Sequence, residues 1–132
     1  MKTLFFCLIL SLTGFHVRAQ EINAKVLEVY ADKAQQMATQ NPDWLKILND
    51  FVENRVKFKT VPRDAVNDKY IKLSTVALLN KYNPGLQRDA VVDPTTFNPL
   101  KYDFIFSAKT PIVYRVDNTD NVIVIEPQSF NK

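Results

Sequence analysis

The chain has 132 residues, of which 46% are hydrophobic and 23% are charged, so it is long enough to bury one hydrophobic core. Its formal net charge of +3 is modest, and a single cysteine excludes any intrachain disulfide. It has no internal repeat and no segment with the composition of a linker. These features predict a single domain whose stability depends on packing.

The first 19 residues have the pattern of a secretory signal peptide. A positively charged start precedes an apolar run over residues 4–12, and small residues stand at the −3 and −1 positions before a site that follows Ala19. The apolar run is shorter than the roughly 20 residues that cross a bilayer. We therefore expect cleavage after Ala19 and a mature domain over residues 20–132, with no transmembrane segment. The expected destination is the periplasm or the exterior of a bacterial cell, where a domain without disulfides fits better than in a eukaryotic extracellular setting.

Removal of this leader changes the chemistry that the chain can perform. Cys7 and His16 are lost, and the loss of Lys2 and Arg18 lowers the formal net charge from +3 to +1. A mature chain without imidazole or thiol excludes Ser-His-Asp and Cys-His catalysis and zinc sites built on those side chains. The one remaining glycine, Gly85, excludes a P-loop or a dinucleotide fingerprint. We expect no metal and no cofactor.

Two antiparallel helices are predicted at the start of the mature domain. Apolar residues recur at helical spacing from Ile22 to Met37, and the first helix should end near Gln40, because Asn41 precedes a proline. Asn41 is the predicted N-cap of the second helix and Pro42 its first residue. The apolar stripe of that helix consists of Trp44, Leu45, Leu48, Phe51 and Val52.

Beyond Asn54 the apolar period changes from 3.6 to 2, which predicts strands. Residues 56–60 alternate apolar and basic side chains and should form a strand with one solvated basic face. Residues 70–73 are a second short strand, after which Ser74 caps a short third helix that ends near Leu79. A continuous strand Tyr70–Val76 is the alternative that the sequence leaves open.

The last third of the chain predicts a long loop followed by more strands. Turn residues dominate Asn83–Pro99, and Tyr102, Phe104 and Phe106 then lie on one face of a strand, as expected for a buried sheet face rather than a sugar-stacking surface. The strands 112–116 and 122–125 flank a hairpin turn that lacks the spacing of a calcium loop. Residues 128–132 are expected to form a loose tail.

The strand at residues 122–125 is apolar on both faces, so it should be central or covered on both sides. If the loop Asn83–Pro99 does not cover the second face of this strand, we expect a partner subunit to cover it. The chain could then form a homo-oligomer. The complete prediction is an α+β fold. It has two N-terminal antiparallel helices and a short third helix packed on a small antiparallel sheet that ends in a C-terminal β-hairpin.

The loop over residues 88–98 is the predicted ligand-binding site, because it concentrates hydrogen-bonding groups on a backbone restrained by prolines. Its candidate residues are Arg88, Asp89, Asp93, Thr95, Thr96 and Asn98. The alternative is a loop that covers the sheet and whose polar groups bond within its own turns.

A second candidate is a basic run that could contact an anionic partner. It consists of Arg55, Lys57, Lys59 and Arg63. The alternative is the solvated face of an edge strand, where lysines discourage edge-to-edge association. The near-neutral charge of the mature chain favours this alternative and argues against a nucleic-acid partner.

Catalysis would have to depend on carboxylates. The pairs Glu28/Asp32 and Asp50/Glu53 each lie one helical turn apart, but on the polar faces of amphipathic helices. No motif supports a serine–lysine dyad. We therefore expect a non-catalytic exported domain that binds an envelope or extracellular protein or glycan. The alternative is a small carboxylate-dependent hydrolase acting on an envelope or extracellular polysaccharide or peptide.

Overall fold

The computed structural model describes residues 22–64 and 66–128. The predicted signal peptide, with Cys7 and His16, and nearly all of the predicted tail lie outside the described residues. Within them, three α-helices pack on a four-stranded sheet, which confirms the predicted α+β fold class. None of the helices in the described ranges is long and apolar enough to cross a membrane.

The predicted first helix is divided into two. Helix α1 (Ala24–Tyr30) begins where the side chain of Asn23 accepts a hydrogen bond of 2.9 Å from the backbone N–H two residues later. It ends at Ala31, whose φ of 50° lies outside the right-handed helical region. Helix α2 (Lys33–Gln40) follows. Apolar spacing does not reveal the break, because core-facing residues on both sides of it are buried.

Helix α3 (Pro42–Asp50) begins as predicted. Asn41 is its N-cap and accepts a hydrogen bond of 3.3 Å from the backbone N–H of the third residue along the chain, with proline at the first helical position. Leu45 and Leu48 are buried against the core. A π-helical turn, Phe51–Arg55, then leads directly into the first strand.

The sheet has the order β1-β4-β3-β2. Antiparallel pairing joins β1 (Val56–Thr60) to β4 (Asn121–Ile125) and β4 to β3 (Ile112–Arg115), so the predicted C-terminal hairpin is present. The two-residue strand β2 (Ile71–Lys72) pairs parallel to β3. The sheet is therefore mixed, and not antiparallel throughout as the sequence predicts. The chain crosses from one edge of the sheet to the other between β1 and β2, and β2 then runs parallel to its neighbour.

Two regions differ from the regular elements that the sequence predicts. After β2 the chain forms a single 3₁₀ turn, Leu73–Thr75, instead of a longer helix or a continuous strand. A second 3₁₀ turn, Pro99–Lys101, precedes Tyr102, and only an isolated bridge joins Leu78 to Tyr102. The aromatic side chains that follow nevertheless pack inward as predicted, since Tyr102 and Phe104 are buried.

Strand β4 is central and apolar on both faces, as predicted. Ile123 and Ile125 belong to the core beneath the helices, while Val122 and Val124, on the opposite face, are only 0% and 6% exposed. Both faces are therefore buried within one chain.

The long loop does not cover the second face of the sheet. Phe97 of this loop packs edge-on against Phe58 at 5.5 Å between ring centroids, and Phe97 belongs to the core on the helix side. On the second face, residues 61–64 and 66–70 are anchored instead, because Arg115 of β3 donates hydrogen bonds to the Val61 carbonyl and to Asp68. The burial of β4 therefore gives no reason to require a partner subunit.

Arg55 connects three separate parts of the fold. Its side chain is 4% exposed and donates hydrogen bonds to the backbone carbonyls of Glu126, at 2.9 Å, and Phe106, at 2.5 Å. Its guanidinium also lies over the Phe51 ring, 5.4 Å from the centroid. The charge thus lies against two backbone acceptors and an aromatic ring.

The substitution Arg55→Ala should lower the free energy of unfolding by roughly 2–4 kcal/mol, because two partly buried carbonyl groups lose their donor. Urea denaturation followed by circular dichroism measures the change. The control Lys57→Ala, at an exposed position of β1, should stay within about 0.5 kcal/mol of the unmodified protein. Equal denaturation midpoints for both variants would contradict the structural role of Arg55.

Candidate functional site

A cleft of about 570 Å³ lies on the second face of the sheet, beside the turn of the β3–β4 hairpin. Its walls are residues of the segment Arg63–Tyr70, Lys72 of β2, Arg115 of β3 and residues of the turn Asp117–Asp120. We call it the polar cleft. Its volume is within the range of about 300–1,000 Å³ that is common for small-molecule sites.

Arg115 holds the cleft together. It is 3% exposed, and its Nε donates to Asp68 at 3.0 Å while its Nη1 donates to the Val61 carbonyl at 2.6 Å. Its guanidinium also lies 5.2 Å from the centroid of the Tyr70 ring. This buried cation fixes one wall together with Asp120, which accepts hydrogen bonds from the backbone N–H groups of Val61 at 2.7 Å and Arg63 at 3.0 Å.

The hairpin turn is fixed from the opposite side. Asp117 accepts hydrogen bonds from the Ser74 hydroxyl at 2.6 Å and from the Ser74 backbone N–H at 2.9 Å. These bonds, the hydroxyl bond above all, lower the pKa of the Asp117 carboxyl. Asn118 adopts a φ of 59°, a conformation that asparagine tolerates better than most residues.

Asp64 is also held by local bonds. Its carboxylate accepts hydrogen bonds from the backbone N–H of Val66, at 3.0 Å, and from the side chain of Asn67, at 2.9 Å. The backbone bond to Val66, followed by the Asn67 side-chain bond, lowers its pKa. Asp64 and Asp117 are therefore ionised acceptors in fixed positions.

Several groups of the cleft are directed towards solvent. The side chains of Lys72 and Asn118 are exposed, and Tyr70 is 37% exposed. Arg63 and Asp120 form a solvent-exposed ion pair at 3.6 Å, which contributes little to stability but presents both a donor and an acceptor. These groups are the ones that a bound molecule could contact.

In the predicted ligand loop, some residues bond to other parts of the fold and others form a separate turn. Arg88 donates to the backbone carbonyls of Leu73 and Val76 and lies 5.8 Å from the Tyr102 ring centroid. Asp89 accepts a hydrogen bond of 2.7 Å from the Tyr102 hydroxyl. These bonds attach the loop to the first 3₁₀ turn and to the core.

Asp89 also forms an ion pair of 3.2 Å with Lys101, which is 8% exposed. Asn98 is 3% exposed, accepts from the backbone N–H of Leu100 at 3.0 Å and donates to the Lys25 carbonyl at 2.8 Å. Asn98 therefore caps the second 3₁₀ turn and fastens it to helix α1. Its polar groups are used within the fold, one in its own turn and the other on helix α1.

The remaining loop residues form an exposed turn. Asp93 accepts hydrogen bonds from the backbone N–H of Thr95 at 2.9 Å and from its hydroxyl at 2.8 Å, and Thr96 is exposed beside them. The backbone bond to Thr95, above all, lowers the pKa of Asp93. Arg88 and Asp89 line a smaller cleft of about 310 Å³. Asp93, Thr95 and Thr96 do not line this cleft. The structure therefore does not gather the six predicted residues into one site.

The predicted basic run is also divided. Arg55 is buried and cannot belong to an anionic contact surface, because its donors are directed to backbone carbonyls. Lys57 and Lys59 are exposed on β1, which is an edge strand. Arg63 lies in the polar cleft. The arrangement of the two lysines matches the edge-strand alternative.

The helical carboxylate pairs lie apart from both clefts. Glu28, Asp32 and Glu53 are exposed, and Asp50 accepts a hydrogen bond of 2.8 Å from Asn54. Within the described ranges, no group of three or more His, Cys, Asp or Glu side chains has the geometry to hold a metal ion.

Sequence reasoning missed Tyr70, Lys72 and Asn118 as site residues. Residues 70–73 were recognisable as a short strand, but their position beside β3 depends on a parallel pairing between Lys72 and Arg115. No local pattern encodes that pairing. The hairpin turn was recognisable too, but only the fold places it opposite the segment 63–70.

Comparisons with protein-family models, with curated proteins and with solved structures find no match to this chain. Function must therefore be argued from the geometry of the clefts.

Replacement of Arg88 and of Asp93 by alanine should have different effects on thermal stability. Arg88→Ala removes the donor to two carbonyls, and we expect a loss of about 1–3 kcal/mol. Asp93→Ala alters only an exposed turn and should cost about 0.5 kcal/mol or less. Differential scanning calorimetry compares the two, and an equally stable Arg88→Ala variant would contradict the anchoring role.

Stability should fall as the pH rises above 10. Burial raises the pKa of Tyr102 from 10.0 to about 12, so the folded state retains a proton that the unfolded chain loses. The resulting stabilisation is complete below pH 10 and is lost as the pH approaches about 12. In Tyr102→Phe, urea denaturation should show a smaller decline over this interval, and identical pH profiles would contradict the assignment.

Proposed function

We propose that this protein is an exported, non-catalytic binding domain whose binding site is the polar cleft. The observation that carries the proposal is the construction of the cleft. Arg115 and Ser74 fix its two walls, while Lys72, Asn118 and Tyr70 remain exposed. A rigid frame with exposed hydrogen-bonding groups is suited to binding without a large loss of conformational entropy.

Export is part of this proposal and is supported by the pattern of the first 19 residues. It places the expected partner, a protein or a glycan, in the cell envelope or outside the cell. The domain itself requires neither a metal nor a cofactor for the interactions proposed here.

Hydrolysis by carboxylates receives less support. A general acid must hold its proton near neutral pH, so its pKa has to be raised. Hydrogen bonds lower the pKa of both Asp64 and Asp117, which is the opposite direction. These carboxylates are suited to accepting hydrogen bonds from a ligand rather than to donating a proton.

Affinity capture tests the proposal. The exported protein is immobilised and exposed to an envelope fraction of the producing cell, and it should retain a bound component. A Lys72→Ala/Asn118→Gly variant should bind this component at least about tenfold more weakly, which corresponds to a difference of about 1.4 kcal/mol in binding free energy. Glycine is chosen at residue 118 because it accepts the positive φ.

The matched control is Lys57→Ala, which removes an exposed lysine of the same sheet outside the cleft. It should capture the same component as the unmodified protein. Equal capture by all three proteins would show that the polar cleft is not the binding site.

A further inference from the structure

Opposite charges are nearly balanced in the polar cleft. Four aspartates line it together with two arginines and one lysine. The aspartates would repel an anionic polymer, and the basic side chains would repel a cationic one. This balance favours a ligand that has many polar groups and little net charge.

The cleft offers donors and acceptors side by side. Lys72 and Asn118 carry N–H donors at exposed positions, and the ionised carboxylates of Asp64 and Asp117 keep lone pairs beyond the bonds they already accept. A hydroxyl group donates one hydrogen bond and accepts others, so it complements both kinds of group at once. A ligand with several hydroxyl groups fits this surface.

Tyr70 adds a flat apolar surface. The Arg115 guanidinium covers one face of its ring at 5.2 Å from the centroid, yet the residue remains 37% exposed. Because Tyr70 also lines the polar cleft, part of its accessible surface is available to a bound molecule. An aromatic ring of this kind can pack against the C–H groups on one side of a sugar while its hydroxyl stays hydrated.

We propose that the polar cleft binds an uncharged carbohydrate, with a sugar ring packed on Tyr70 and sugar hydroxyls hydrogen-bonded to Lys72 and Asn118. This inference rests on the proposed function, since it names the class of ligand that the same cleft takes. The volume of about 570 Å³ is adequate for a short oligosaccharide segment.

An acidic glycan is the nearest competitor. Lys57 and Lys59 lie on the same face of the sheet, because Lys59 and Arg115 both pair with Val122. These lysines could attract an acidic chain, but they are separated from the cleft by β4, and the cleft itself contains four carboxylates. The two ligand classes differ in salt dependence, since only the acidic chain depends on long-range attraction.

The test uses the exported protein on an array that carries neutral hexose and N-acetylhexosamine oligosaccharides beside uronate-containing and sulfated ones. Neutral members should bind, and calorimetry should give affinities that change less than about twofold between low and high salt. Tyr70→Ala should weaken binding about tenfold, because the sugar loses the aromatic ring on which it packs. Tyr70→Trp should retain binding, because it keeps an aromatic ring at this position.

Lys57→Ala serves as the control and should bind with unchanged affinity, and thermal unfolding verifies that each variant is folded. Binding confined to acidic oligosaccharides, or full affinity in Tyr70→Ala, would overturn the carbohydrate assignment. If the array shows no binding while the Lys72→Ala/Asn118→Gly variant still loses its captured envelope component, the carbohydrate inference fails and the proposed binding function stands.

Discussion

Burial of strand β4 on both faces is the constraint on which the rest of the structure depends. Its four apolar residues are at most 6% exposed, so a layer must lie on each side of the sheet. The helices and the long loop supply the first layer, to which Phe97 of the loop belongs. The second consists of neighbouring side chains on the same face together with residues 61–64 and 66–70, which Arg115 anchors through Val61 and Asp68.

This difference between the two layers explains where the cleft forms. On the helix side, aromatic rings pack at centroid distances near 5 Å, such as 4.6 Å between Phe104 and Tyr114, and the cleft beside Arg88 and Asp89 is smaller, at about 310 Å³. The second layer is polar. It is attached through the buried Arg115 and through Asp120, which accepts hydrogen bonds from the backbone N–H groups of Val61 and Arg63, and the open space of the cleft lies beside it at the hairpin turn. The cleft is thus a consequence of how the second face is covered.

Two buried arginines show how a charge can be accommodated in a small core. Arg55 is surrounded by backbone carbonyls and an aromatic ring, whereas Arg115 is paired with Asp68, a carbonyl and the Tyr70 ring. In each case several acceptors compensate for the loss of hydration, which a single surface ion pair could not do. Both residues join segments that are far apart in the chain, so they fix tertiary structure more than local structure.

Local physical chemistry determined much of this protein from the sequence alone. The α+β class, the Asn41 cap, the hairpin and the doubly apolar β4 all follow from periodicity and turn chemistry within a few residues. Tertiary structure alone decided the break at Ala31, the parallel pairing of β2 and the burial of Arg55 beside exposed Lys57. It also decided the site, because the polar cleft assembles the segment 63–70, Lys72 and the hairpin turn through pairings that span more than forty residues. Local patterns cannot specify such contacts, since strand register and long-range hydrogen bonds form only when the whole sheet is assembled.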